Sequence, residues 1–218
     1  MKQGAIFDMD GLMFDTERIF RESWLVLAAE KYHEEPSIPF TAAVAGTAGD
    51  KMREVVKRFY PDIDADAYIA DCCARVEEIS ARDLPVKKGL GKILSFLKEK
   101  GFRMAVASAS SRAVVERNLK KAGVDHYFDL VLSTLGEGIP SKPAPDVFIK
   151  AAEGLGLVPE DCYVFEDGIN GVLAGLRAGC TTVMVPDTME PTREILDGVA
   201  HICRDLEEAA EAISRGEI

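Results

Sequence analysis

Residues 4–11 read GAIFDMDG: four small or apolar residues, then Asp8, Met9, Asp10 and a glycine. The apolar run is too short for a core helix and shows no alternation of apolar and polar residues. It predicts a strand over 4–10 that is covered on both faces and carries two carboxylates to its end. Working outward, the same grammar recurs in FRMAVASAS (102–110), DLVLST (129–134), DCYVFED (161–167) and TTVMVP (181–186). Helical patterns fill the gaps at 90–100, 111–122, 145–155, 169–178 and 192–197, and 205–216 reads as a closing helix. Gly101, Gly123 and Gly179 follow three of these stretches, where a left-handed helix terminus favours glycine. Strands alternating with helices predict an α/β fold, a Rossmann-like parallel sheet with helices on both sides.

Residues 16–84 break this rhythm. No strand is legible there, and helices are expected at 16–32, 40–45, 49–60 and 64–82. In the first of them Ile19, Phe20, Ser23, Trp24 and Leu27 fall on one face at helical spacing. This predicts an all-helical cap domain, 16–84, inserted into a core built from 1–15 and 85–218. The hinges are expected near Asp15–Thr16 and in LPVKKG (84–89), where Pro85 stops a helix. Such a cap closes over a site and selects its substrate. Segment 45–51 (AGTAGDK) and Arg53 are the expected contacts, although an arginine on a helix is more often simply solvated.

Composition narrows the function. The 218 residues are 47% hydrophobic and 29% charged, as in an ordinary globular chain. Acidic side chains outnumber basic ones, 37 to 26, for a net charge of -11. That argues against a nucleic-acid partner, which requires a basic stripe. No apolar run approaches the ~20 residues of a membrane span, and the start of the chain does not read as a secretory leader. A cytoplasmic protein, monomeric or a small homo-oligomer, is the expectation. Cys72, Cys73, Cys162, Cys180 and Cys203 lack metal-ligand spacing and predict reduced, mostly buried thiols.

The chemistry gathers at the strand ends. Asp8 and Asp10 end the first strand, Ser108 the second, and Glu166 with Asp167 the fourth. In an open parallel sheet these ends share one edge, where ligands bind. Four carboxylates brought together repel, and are relieved by protonation or by a divalent cation. With oxygen ligands and no histidine or cysteine, Mg²⁺ is favoured over zinc. His33, His126 and His201 lie away from these ends and GxSxG is absent, so a Ser-His-Asp hydrolase does not fit. In a regular strand Asp8 and Asp10 point the same way. One carboxylate then approaches a phosphorus while the other handles the leaving oxygen, as nucleophile and general acid/base. Gly11 lets the chain turn with its N–H groups toward the phosphate. A lone aspartate here reads as a turn residue, a lone Ser108 as a satisfied hydroxyl and a lone Lys142 as a surface lysine. The stiff SKPAP segment (141–145) makes an inward-pointing Lys142 credible. Gly168, Gly171 and Gly175 read as close helix–sheet packing, and Asp15, Thr16 and Asp167 each read equally as helix caps.

These motifs resemble the haloacid dehalogenase superfamily. FDMDGLMFDTE is similar to its first motif, Ser108 in VASAS to the second, Lys142 in SKPAPD to the third and VFEDGINGV to the fourth, across nearly the whole chain. The cap position and the KPAPD and FEDG forms look most like the β-phosphoglucomutase-like and phosphoglycolate-phosphatase-like subgroups. The resemblance implies that Asp8 forms an aspartyl-phosphate and that Asp10 exchanges the proton. It implies that Ser108 and the Ala109 N–H bind the phosphoryl group, and that Lys142 neutralises charge. Asp8, the Asp10 carbonyl and Asp167 would hold Mg²⁺, with Glu166 a further ligand or a group behind them, and Thr16 would face substrate. Asp10 points to an oxygen leaving group, hence a small phosphorylated metabolite. Phe20 stands where the mutases carry a histidine, which favours a phosphatase over a phosphosugar mutase. A phospholigand-binding protein without turnover has no residue in its favour.

Overall fold

The computed structural model describes residues 2–47, 49–187 and 191–218. Ala48, within the 45–51 segment expected to contact substrate, lies outside the described residues. The chain forms two compact units, one of Met1–Phe14 with Val86–Ile218 and one of Asp15–Pro85. Strand β1 (Gly4–Phe7) opens the first; helices α1 (Thr16–Glu30), α2 (Ile38–Val44), α3 (Gly49–Phe59) and α4 (Ala65–Arg82) build the second. The first unit resumes with α5 (Leu90–Glu99), β2 (Arg103–Ser108), α6 (Arg112–Lys121), β3 (Leu130–Ser133) and α7 (Asp146–Gly154). It ends with β4 (Cys162–Glu166), α8 (Ile169–Ala178), β5 (Thr181–Met184), α9 (Arg193–Gly198), β6 (His201–Ile202) and α10 (Leu206–Arg215).

The six strands form one parallel sheet in the order β3-β2-β1-β4-β5-β6. Strand β1 is central. Phe7 pairs with Val106 on one side and Phe165 on the other, which brings the ends of β1, β2 and β4 level. The chain winds outward from β1 through β2 to β3, then crosses to β4, so the strand order reverses beside β1 and opens the crevice of a doubly wound sheet. Strand alternation divides the core. Ile6, Ala105, Ala107 and Val164 pack with Val147, Phe148 and Ala151 of α7 and Ala174 and Ala178 of α8. Phe7 and Phe165, one residue on, stack with ring centroids 4.7 Å apart.

Two details differ from the sequence expectation. Strand β1 closes at Phe7, not at residue 10. Asp8 keeps one ladder bond, its N–H to the Phe165 carbonyl at 3.1 Å. The chain then curls, with Gly11 N–H to Phe14 O and Met13 N–H to Met9 O both at 2.9 Å. Gly11 sits at φ +86°, a conformation costly for any residue with a Cβ. Asp8 and Asp10 are therefore placed by a loop, and pleat alternation does not decide their directions. The second difference is β6, a two-residue strand that the sequence pattern does not announce.

In the helical unit α1 lies along α4. Ile19, Ser23 and Trp24 are buried, and Phe20 and Leu27 border the same core, as the helical spacing predicts. Trp24 meets Phe40 and Tyr68 edge-on at 5.5 and 4.8 Å, and the Tyr68 hydroxyl donates to the Trp24 carbonyl at 2.7 Å. Asp15 occupies the N-cap position of α1 without capping it by its side chain; its carboxylate accepts from Arg18 at 3.1 Å. Arg53 is engaged inside this unit by Asp50 and, at 2.7 Å, by Asp66. The five cysteines are free, as expected, and burial pushes Cys162 up to about 11 and Cys180 and Cys203 up to about 12. No helix among the described residues is long and apolar enough to cross a membrane.

Trp24 is the chain's one tryptophan, so its fluorescence reports the helical unit alone. Tyr68→Ala removes a fully buried ring from that cluster and should destabilise the unit by about 3 kcal/mol, read from the fluorescence midpoint in urea. An unshifted midpoint contradicts the packing described.

Candidate active site

The central position of β1 puts the end of that strand between the ends of β2 and β4, and the site forms there. Asp8 is 7% exposed and sits one residue past β1, level with Glu166, the last residue of β4. Lys142 arrives from the segment between β3 and α7. Its ammonium donates to Asp8 Oδ1, to Glu166 Oε1 at 2.7 Å and to the Ala107 carbonyl at 3.0 Å. A lysine carries three donors, and all three are used. The ammonium also lies 5.1 Å from the centroid of the Phe148 ring, which adds a cation–π contact. The Arg177 guanidinium donates to the Pro143 carbonyl at 2.8 Å and ties the lysine-bearing segment to α8.

Three carboxylates converge here. Asp8, Glu166 and Asp167 each bring an oxygen within 4.8 Å of the others'. With all three ionised, one ammonium against three carboxylates leaves two negative charges, which a divalent cation would neutralise. Burial, then the charges of Glu166 and Asp10, push the Asp8 carboxyl up to about 8 against the pull of Lys142. Burial draws the Lys142 ammonium down, but attraction to Asp8 and Glu166 outweighs it and holds the group above its ordinary value. Lys142 is therefore charged throughout the neutral range.

Glycines give these carboxylates room. A Cβ on Gly11 would overlap the Asp167 carboxylate, and a Cβ on Gly171 would overlap that of Glu166. The Gly168 N–H donates to Glu166 Oε2 at 3.0 Å. Of the three glycines expected to serve helix–sheet packing, Gly175 and Gly171 do so: the Cβ position of Gly175 lies 2.6 Å from Thr182 Oγ1 of β5, and Gly171 lets α8 approach Glu166 at the end of β4. Gly168 instead serves Glu166 through its N–H. Gly168, not Asp167, stands at the N-cap of α8.

Ser108 ends β2 fully buried, and its hydroxyl accepts the Ser110 N–H at 3.0 Å. Ala109 follows it, exposed. Asp10 is reached by a residue outside the expected set: the Ser110 hydroxyl donates to Asp10 Oδ2 at 2.7 Å. The signal was present in the run of hydroxyls Ser108, Ser110 and Ser111, although nothing in it assigned Ser110 to Asp10. Thr16 belongs to the helical unit, buried at the start of α1.

Metal-free protein should carry the mark of Asp8. Its carboxyl ionises near 3.8 when unfolded but keeps its proton up to about 8 when folded. Between those values the folded state binds more protons, so stability declines as pH rises. In EDTA the melting temperature should fall as pH rises from about 4 to about 8, and Asp8→Asn should flatten that fall. Parallel slopes for the two proteins would sink the assignment.

Comparison with known proteins gives the family. The family model for haloacid dehalogenase-like hydrolases matches residues 2–179. Fructose-1-phosphate phosphatase YqaB of Escherichia coli is 31% identical over 184 residues, 84% of this chain and 95% of the relative. Hexitol phosphatase B of the same organism is 30% identical over 198 residues, 84% of this chain and 82% of the relative. The crystal structure of β-phosphoglucomutase from Clostridium difficile shares the fold, with a TM-score of 0.77 across 100% of this chain and 97% of the other at 22% identity. The family match spans β1, β2 and β4 with the residues at their ends, and on that ground the chain belongs to the haloacid dehalogenase-like hydrolases.

Proposed function

We propose that this protein is a Mg²⁺-dependent phosphatase that hydrolyses a small phosphate monoester, a sugar phosphate or similar metabolite, through an aspartyl-phosphate on Asp8. The observation that carries the proposal is the buried Asp8 carboxylate gripped by the Lys142 ammonium at the sheet edge, with Asp10 two residues on. Relatives named as phosphatases of fructose 1-phosphate and of hexitol phosphates support the substrate class.

The acidic cluster fits a hard divalent cation. Its donors are carboxylate oxygens from Asp8, Glu166 and Asp167, with no histidine or cysteine among them, and its charge is two units short of neutral. The Asp10 carbonyl is the further candidate ligand. Bound there, Mg²⁺ supplies positive charge that lets an anionic carboxylate and an anionic phosphoryl group approach.

The chain's own residues do the rest. Asp8 attacks phosphorus, and its bond to phosphorus forms as the bond to the ester oxygen breaks. Asp10 gives its proton to that departing oxygen, then takes one from the water that opens the aspartyl-phosphate. Lys142 offsets charge on Asp8 and on the phosphoryl oxygens. The Ser108 hydroxyl and the Ala109 N–H hold the phosphoryl group in place, which is most of what such transfer requires, whereas the Gly11 N–H expected to join them is taken by the Phe14 carbonyl. The helical unit Asp15–Pro85 is the proposed cap that selects the leaving alcohol.

A screen of sugar phosphates with Mg²⁺ should release orthophosphate, and EDTA should abolish the release. Asp8→Asn should lower it by at least about 10³-fold and remove the phosphate label that acid-quenched wild-type protein retains. Release that survives Asp8→Asn refutes the nucleophile. Isomerised hexose phosphate with little orthophosphate would replace the phosphatase by a mutase.

A further inference from the structure

Strand β3 contributes none of the expected site residues, yet its last residue is tied to the site. Ser133 is fully buried. Its hydroxyl donates to the Ser110 carbonyl at 2.7 Å and accepts the Leu135 N–H at 3.0 Å. Ser110 is held a second time by its own N–H, which donates to Ser108 Oγ at 3.0 Å. The Ser133 N–H faces Glu137 Oε2 at 3.3 Å, and Glu137 is fixed in turn by Arg112 at 2.7 Å. The backbone of Ser110 is thus clamped from both neighbouring strand ends, while its hydroxyl reaches Asp10 Oδ2 at 2.7 Å.

The geometry points to Ser110 as a positioning residue for Asp10, aimed by the buried hydroxyl of Ser133. This rests on the proposed role of Asp10 as the proton donor to the leaving oxygen. A carboxylate side chain has two torsions, and only part of their range presents its proton to the leaving oxygen. One hydrogen bond from a clamped hydroxyl restricts those torsions without consuming the proton to be transferred. A leaving group that is already a good anion gains little from that proton, whereas an alkoxide requires it. Ser110 should therefore matter in proportion to the basicity of the leaving group.

The test compares kcat/KM, which reports the steps up to departure of the leaving group, for an alkyl and an aryl phosphate at saturating Mg²⁺. In Ser110→Ala the alkyl-to-aryl ratio of kcat/KM should fall by about 10-fold or more, a share of what general acid catalysis supplies. Ser110→Thr, which keeps the hydroxyl, should restore the ratio. Ser133→Ala should move it in the same direction by a smaller factor. Asp10→Asn is the control and should collapse the ratio furthest. An equal loss on both substrates in Ser110→Ala, with the ratio collapsed in Asp10→Asn, overturns Ser110 as the positioning residue and leaves the role of Asp10 standing. An unchanged ratio in Asp10→Asn overturns both, and locates the failure in the acid assignment.

Discussion

Everything at the sheet edge depends on one buried cation. Three carboxylates in a desolvated pocket would repel and draw protons, and the Lys142 ammonium, bridging Asp8 and Glu166, keeps them together. A lysine surrounded by carboxylates is as dependent on them as they are on it. Removing the lysine leaves the carboxylates uncompensated in a pocket where the Asp8 and Glu166 side chains are 10% exposed or less. The arrangement is thus both a local stability constraint and a chemical device, and it leaves a charge deficit that matches a divalent ion. The glycines at 11 and 171 belong to the same constraint, because any side chain there would displace a carboxylate from the group.

The sheet order converts this local constraint into a global one. Asp8 and Lys142 are 134 residues apart in sequence, and Lys142 and Glu166 are 24 apart. Only a central β1, flanked by β2 and β4, lets those segments meet. The apolar faces of the sheet hold the register that sets the meeting point. Ile6 packs toward α7 and α8, and Phe7 stacks on Phe165 on the other face.

Much of this was legible in the residues. Near-continuous apolar runs located five of the six strands, since a strand covered on both faces can have little else in it. Helical spacing in 16–32 identified the buried face around Trp24. The four motifs named the residues that converge, because a strand end is the one place where a buried strand affords polar side chains. What was not legible depends on long-range geometry. His201–Ile202 is too short to show a period. The extension of β1 to residue 10 overlooked how early Gly11 turns the chain. Ser110 was hidden because its partner lies 100 residues away, and Gly171 because its role is defined by the carboxylate beside it. Lys142 was placed by the stiffness of its segment, but its three acceptors are known only from the fold.

The central location of β1 also has a consequence for synthesis on the ribosome. The strand leaves the exit tunnel before both of its partners: one of its edges waits for β2, about 100 residues later, and the other for β4, about 160 residues later. The intervening helices α1–α4, which pack on one another, can settle in the meantime. The apolar tetrapeptide thereby keeps at least one edge open through most of the synthesis of these residues, so a holdase that shelters β1 during synthesis would raise the yield of native chains more than one acting after release.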